Sequence, residues 1–205
     1  LMDSCGKELA DRFVKVKPNK ILTIATTGLV VAIPIAKYLQ VPLVYARKQR
    51  SVVMADTFDA GYNSKTIGQD QQLLVSKDHL DEDDRVLIID DFLSSGSSQE
   101  ALLRIISEAG ATPVGVGVIL EKEYDAGRKQ LSGYNIPAES IVRIASVKEG
   151  VIQLKEEDGY VLYPKHINAS HICPSKKRSL NKENENRGFR KNMDSELQNT
   201  CQSHI

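Results

Sequence analysis

At 205 residues the chain is long enough for one compact domain, with at most a tail in addition, and needs no disulfide or metal staple to bury a core. Apolar residues at 41% and charged residues at 26% are ordinary globular usage, and 27 basic against 27 acidic residues exclude the global positive field that nucleic-acid binding favours. Cys5, Cys173 and Cys201 make no CxxC pair, which excludes a disulfide framework and a zinc site by spacing.

No apolar run approaches the roughly 20 residues of a membrane span, and the first residues show no signal-peptide pattern, so a cytoplasmic location is expected. The zero net charge hides an asymmetry. From Lys165 onward there are 8 basic and 4 acidic residues, leaving 19 and 23 before it. The expectation is a folded acidic body over 1–164 and a disordered basic tail over 165–205, whose Asn/Lys/Ser-rich composition cannot bury enough to order itself.

The chain opens inside a helical pattern. Asp3 or Ser4 could cap it, and Leu9, Phe13, Val14 and Val16 keep helical spacing; a segment preceding Leu1 is expected. Pro18-Asn19 breaks the pattern. Lys20–Ala25 reads as a buried strand, Thr26-Thr27-Gly28 as a turn, and Leu29–Gln40 as a helix in which Pro34 is tolerable only near the first turn. Val41–Ala46 is a second strand, followed by Arg47, Lys48 and Arg50.

Ser51–Thr66 loses periodicity and is expected to be a long mobile loop or loose hairpin, a length often used for a lid. Leu73–Ser76 is a short strand, and residues 81–84 form an acidic turn. Val86–Asp91 is the clearest strand; Phe92–Ser98 follows as a Ser/Gly loop, then a helix over Gln99–Ala109 closed by Gly110. Pro113–Leu120 is a Val/Gly strand, Ile141–Ile144 another, and Val151–Leu154 an edge strand. Strands alternating with helices imply an α/β fold with a mostly parallel central sheet flanked by helices.

The strongest chemical signal is the run from Val86 to Ser98. Four apolar residues end in two carboxylates, Asp90 and Asp91, where open α/β sheets bind their ligands. The loop Ser94, Ser95, Gly96, Ser97, Ser98 then leads into a helix N-terminus, whose free N–H groups favour an anion. Phosphate at one end and sugar hydroxyls or Mg²⁺ at the carboxylates fit such a pair of sites. Thr26, Thr27 and Gly28 form a second turn of this kind. A basic triplet is ordinarily a solvated face, but Arg47 and Lys48 stand beside the lid-like loop, in which Ser51, Tyr62 and Lys65 are candidates for closing over an anion.

This set of motifs resembles the type I phosphoribosyltransferase family. Val86–Ser98 is similar to its signature, with Ser95 and Ser98 where loop threonines are usual. Ala25–Gly28 looks like its pyrophosphate loop, Arg47-Lys48 like the basic pair before its flexible loop, and Gly117–Tyr124 with Gly127-Arg128 like its purine-recognition segment. The likeness runs from Lys20 to about Leu154 and departs at Ala25, where an acidic residue is common. It also implies a base pocket left incomplete by the segment expected before Leu1.

The resemblance implies the type I fold with a flexible loop over the active site. It implies transfer of ribose 5-phosphate from phosphoribosyl pyrophosphate to a purine, with Mg²⁺ bound alongside and a homodimer as the assembly. Asp90, Asp91, Arg47 and Lys48 would be catalytic, with Asp90 and Asp91 also near the metal. Ser94 to Ser98 and Thr26 to Gly28 would bind phosphoribosyl pyrophosphate, and Lys122 and Tyr124 the base. An ammonium only donates, so Lys122 suits a purine carbonyl and favours an oxopurine, xanthine first. An adenine-specific enzyme and a non-catalytic regulator that binds phosphoribosyl pyrophosphate are the alternatives. The acidic body makes a nucleic-acid partner unexpected, and no membrane partner is indicated.

Overall fold

The computed structural model describes residues 1–50, 54–64, 68–156 and 159–164. The expected tail over 165–205, with the histidines and cysteines in it, lies outside these residues, as do Ser51 and Lys65.

Nine strands and four helices are described: α1 (Met2–Phe13), β1 (Lys20–Ile24), α2 (Thr27–Leu39), β2 (Leu43–Ala46), β3 (Thr57–Ser64), β4 (Gln69–Ser76), β5 (Arg85–Leu93), α3 (Ser97–Glu108), β6 (Thr112–Lys122), α4 (Gly127–Leu131), β7 (Ala138–Lys148), β8 (Val151–Glu156) and β9 (Gly159–Pro164). Seven strands form one sheet in the order β2-β1-β5-β6-β7-β8-β9. The first five run parallel, and β8 and β9 extend the sheet antiparallel. β3 and β4 make a separate antiparallel hairpin.

Alternation along β1 and β5 divides the core between the two faces of the sheet. Ile21, Leu87 and Ile89 face α1 and α2, meeting Leu9, Phe13, Val31 and Ile35. Leu22, Val86 and Ile88 face α3 and the hairpin, meeting Leu102, Ile105, Leu73 and Val75. Both faces of the central strands are covered, so β5 reads as a continuous apolar run until its two carboxylates.

Phe13 explains the glycines of β6. Its ring, fully buried, lies over the strand. A Cβ on Gly115 would stand 2.6 Å from Phe13 Cε1, and one on Gly117 would stand 2.8 Å from Phe13 Cε2 and from Ile89 Cδ1. The small residues make room for the ring, while Val116 and Val118 fill the opposite face.

Several local expectations are corrected. α1 begins at Met2 behind Leu1, so neither Asp3 nor Ser4 is its cap. α2 begins at Thr27, two residues early, which places Pro34 in mid-helix. Gly6 of α1 accommodates the ring there, since a Cβ on Gly6 would stand 2.6 Å from Pro34 Cβ. Ser97 and Ser98 belong to the first turn of α3 rather than to the loop, with Gly96 preceding them at φ +82°. β6 continues to Lys122, drawn on by pairing of Leu120 with Val142 and Lys122 with Ile144. β8 is not the edge, because β9 pairs outside it.

The stretch after Arg50 is a regular hairpin from Thr57 onward. Phe58, Ala60 and Tyr62 recur at period two and turn towards the α3 side of the core, a pattern thinned by the small and polar residues between them. Ser97 Oγ donates to the Asn63 carbonyl at 3.0 Å, and Arg104 of α3 donates to the Gly61 carbonyl, so the hairpin is docked on α3.

The Phe13 contact gives a stability test. Gly117→Ala is expected to cost about 1–3 kcal/mol by overpacking, measured as a lower urea midpoint. Adding Phe13→Leu to that variant should recover part of the loss if the Phe13 ring is the obstacle.

Candidate active site

β1 and β5 are neighbours in the centre of the sheet and run in the same direction, so the chain leaves both at the same end. Each then passes directly into a helix. After β1, Ala25 and Thr26 are joined by a cis peptide bond and α2 starts at Thr27. After β5, Ser94–Gly96 lead into α3. Two helix N-termini therefore flank the carboxyl end of β5, each presenting N–H groups with no partner inside its helix.

Between them lies a cleft of about 570 Å³. It is lined by Ile24, Ala25, Thr26 and Thr27 from the first turn, Asp90, Asp91 and Phe92 from β5, and Ser94 to Gln99 from the second; Lys48 and Tyr62 complete the wall. Gly28 underlies this arrangement. A Cβ there would overlap Thr23 Oγ1 and stand 3.1 Å from Asp90 Oδ1, so only glycine lets α2 approach the carboxylate this closely.

Asp90 is 6% exposed. Its Oδ1 accepts the Asp91 N–H at 3.0 Å, and its Oδ2 accepts from Gln99 Nε2 at 2.8 Å. Burial, with the neighbouring Asp91 charge second, pushes its pKa up to about 8. Gln99 is itself fully buried. Its amide nitrogen also reaches the Phe92 carbonyl at 3.2 Å, while its Oε1 accepts from Ser98 Oγ at 3.2 Å. Burial also raises the Tyr62 phenol, with the Asp90 charge adding to it.

Most of the residues singled out in the sequence come together here: Thr26, Thr27, Lys48, Asp90, Asp91, Ser94, Ser95, Gly96, Ser97 and Ser98. Three stand apart. Arg47 exchanges backbone hydrogen bonds with Leu74 at 2.8 Å, and its guanidinium lies 5.7 Å from the Tyr45 ring, in a separate depression with Met54 and His79. The Lys122 ammonium lies 5.1 Å from the centre of the Phe92 ring, and Tyr124 is half exposed. Sequence reasoning missed Gln99, Phe92 and Asp125, which accepts from Ser94 Oγ. A glutamine in the first turn of a helix carries no mark of a buried partner.

A phosphoribosyl transferase domain model matches residues 5–155. The chain belongs to the phosphoribosyltransferase family. It is thus a pentosyltransferase by descent. It is 39% identical over 167 residues to the xanthine phosphoribosyltransferase of Shouchella clausii, covering 80% of this chain and 83% of that one. It is 40% identical over 158 residues to that of Oceanobacillus iheyensis, covering 77% and 81%. Among solved structures, adenine phosphoribosyltransferase of Giardia lamblia complexed with 9-deazaadenine superposes with a TM-score of 0.65 at 23% identity, over 71% of this chain and 80% of that one. At that identity the superposition shows the type I fold.

The carboxylates of the cleft would suit a Mg²⁺. A buried carboxylate whose charge is disfavoured beside a second carboxylate is a place a cation would relieve. Among the described residues no group of three or more His, Cys, Asp or Glu side chains could hold an ion alone. Mg²⁺ wants six oxygens, so Asp90 and Asp91 could supply two at most, with diphosphate, ribose and water supplying the others. No described helix is long and apolar enough to cross a membrane.

The raised pKa of Asp90 makes stability fall with pH. The folded state holds this proton more tightly than the unfolded chain, so the contribution is full below about pH 3.8 and is lost as pH rises towards about 8. Asp90→Asn is therefore expected to match the wild type near pH 4 and to melt increasingly above it up to pH 8–9, by an amount on the order of a few kcal/mol. Melting curves across that range without ligand would check it; equal midpoints at pH 8.5 would mean the carboxylate is already compensated.

Proposed function

We propose that the chain catalyses reversible transfer of ribose 5-phosphate from phosphoribosyl pyrophosphate to a ring nitrogen of an oxopurine, with xanthine the favoured base. The products would be the nucleoside monophosphate and pyrophosphate, a purine-salvage reaction. The observation that carries this reading is the placement of two helix N-termini on either side of the Asp90–Asp91 pair in one cleft. Two anion sites separated by two carboxylates match a sugar that carries a phosphate at one end and a diphosphate at the other. The relatives named xanthine phosphoribosyltransferase support the choice of base.

In this reading the amides of Ser95 to Ser98 and their hydroxyls hold the 5-phosphate, and Thr26, Thr27 and Gly28 hold the pyrophosphate. Asp90 and Asp91 take the ribose hydroxyls and face the ring as it becomes cationic. Lys48 stabilises the leaving pyrophosphate; Arg47 would join it only by leaving the Tyr45 ring. Asp90 and Asp91 would stand beside a Mg²⁺ bound with the substrate, which would supply positive charge to the pyrophosphate. Tyr62, carried by the docked hairpin, helps keep water from competing with the base.

Base recognition falls to the end of β6. Lys122 would donate to a purine carbonyl and Tyr124 would stack on the base, with Phe92, which lines the cleft, against Lys122. An adenine-specific enzyme of the same fold is disfavoured by Lys122, since an ammonium has nothing to accept from an exocyclic amine. A homodimer is part of the proposal. Val30 and Ile33 on α2, at 55% and 58% exposure, and Tyr45 on edge strand β2 offer an apolar surface for a second copy.

Pyrophosphate release would be assayed with Mg²⁺, phosphoribosyl pyrophosphate, and xanthine, guanine, hypoxanthine or adenine singly. Turnover with an oxopurine is expected; no turnover with any base, together with binding of phosphoribosyl pyrophosphate, would point to the regulator instead. Lys122→Ala should lower kcat/KM for xanthine about 10- to 100-fold and spare any adenine activity. Lys48→Ala should lower kcat by about 100-fold.

A further inference from the structure

The segment after β6 resembles a purine-recognition element in sequence, yet it also makes direct contacts with the loop that follows β5. The Gly127 N–H donates to the Ser94 carbonyl at 2.9 Å, and the Ser94 hydroxyl donates to the Asp125 carboxylate. A Cβ on Gly127 would overlap the Ser94 carbonyl oxygen and stand 2.8 Å from Leu93 Cδ1. A Cβ on Gly96 would in turn stand 3.1 Å from Gly127 Cα. Segment and loop therefore meet backbone to backbone, with no side chain between them.

The segment is also anchored from behind. Arg128 grips Glu121 with two parallel bonds, Nε to Oε1 at 2.7 Å and Nη2 to Oε2 at 2.6 Å, and its Nη1 donates to the Ala138 carbonyl at 2.7 Å. Glu121 is 1% exposed and also accepts from Ser140 Oγ at 2.6 Å. Burial alone would push the Glu121 carboxyl up, but the Arg128 and Ser140 hydrogen bonds outweigh it and hold it below its ordinary value. Gln130 of α4 further donates to Glu100 in the first turn of α3. A bidentate pair of this kind fixes direction as well as distance.

We infer that Asp125, Gly127 and Arg128 are positioning residues for the Ser94–Gly96 loop, setting where its amides stand when a sugar phosphate binds. Asp125 takes the Ser94 hydroxyl, so Ser94 ties the loop down while the N–H groups at Gly96 to Ser98 face the cleft. The anchor on β6 and β7 carries the position of the sheet through Arg128 to the Ser94–Gly96 loop. This inference rests on reading the cleft as a phosphoribosyl pyrophosphate site.

Ribose 5-phosphate is the probe, with binding measured by calorimetry on the whole chain and steady-state kinetics alongside. Gly127→Ala and Arg128→Lys should each weaken ribose 5-phosphate about 10-fold and raise KM for phosphoribosyl pyrophosphate by a similar factor. KM for the base should stay within about twofold. Arg128→Lys keeps the charge and loses only the fork, so it stays informative if the Gly127 variant folds poorly. Unchanged ribose 5-phosphate affinity with a raised KM for the base would overturn the inference and return the segment to base recognition. A wild type that binds no ribose 5-phosphate would fail at the function itself, before any variant is compared.

Discussion

The buried carboxyl of Asp90 at the end of β5 is the constraint around which the neighbouring structure is organised. A carboxyl in that position is unfavourable when ionised, and the chain compensates it only in part, with one backbone N–H and the Gln99 amide. The compensation fixes other choices. Gln99 must be buried at the start of α3, so α3 has to begin immediately beyond the loop. Gly28 must lack a side chain, so α2 can bring its N-terminus against the same carboxyl. Thr23, beneath Gly28, is left as a buried hydroxyl with no hydrogen-bond partner among the described residues. A fold built for stability alone would avoid a buried Asp90; its presence in the cleft wall fits a ligand that supplies what it lacks.

The legible part of the sequence was the part where one physical demand dominates. Val86 to Ile89 had to be a central strand because both faces are covered, and the carboxylates had to stand at its exit. The turns after Ile24 and Leu93 were readable because Ser, Thr and Gly at a strand-to-helix junction have few other uses. The hairpin was harder. Phe58, Ala60 and Tyr62 alternate with Asp59, Gly61 and Asn63 at period two, but Ala, Gly, Asp and Asn are poor strand formers, so propensity hid the pattern. Pro34 misled about the start of α2 because it sits in mid-helix, against the rule for proline, with its ring packed on Gly6 of α1, 28 positions earlier.

At the site, what failed to show in the sequence was partnership rather than identity. Arg47 and Lys48 are adjacent and both cationic, but Arg47 is held in a bridge to Leu74 and the chain bends at Lys48, so Lys48 lines the cleft while Arg47 lies by Tyr45. Gln99 and Asp125 look like ordinary polar residues of a helix start and a surface turn. Only the tertiary structure reveals that one meets Asp90 and the other Ser94.

The division of labour in the cleft follows from the same geometry. The anion turns and the carboxylate pair sit on β1 and β5, at the middle of the sheet, where the core holds them from both sides. Lys122 sits at the end of β6, beyond the glycines that accommodate Phe13. Superposition on adenine phosphoribosyltransferases shows a fold that enzymes taking different purines can share. The chemistry at β6 separates them. The Lys122 ammonium lies 5.1 Å from the centre of the Phe92 ring, a contact that attracts the cation without giving it a hydrogen-bond acceptor. A carbonyl oxygen brought to that point gains a charge-assisted hydrogen bond, whereas an amino group brings a donor to a donor. Selectivity of this kind comes from the cost imposed on the wrong base as much as from the gain with the right one.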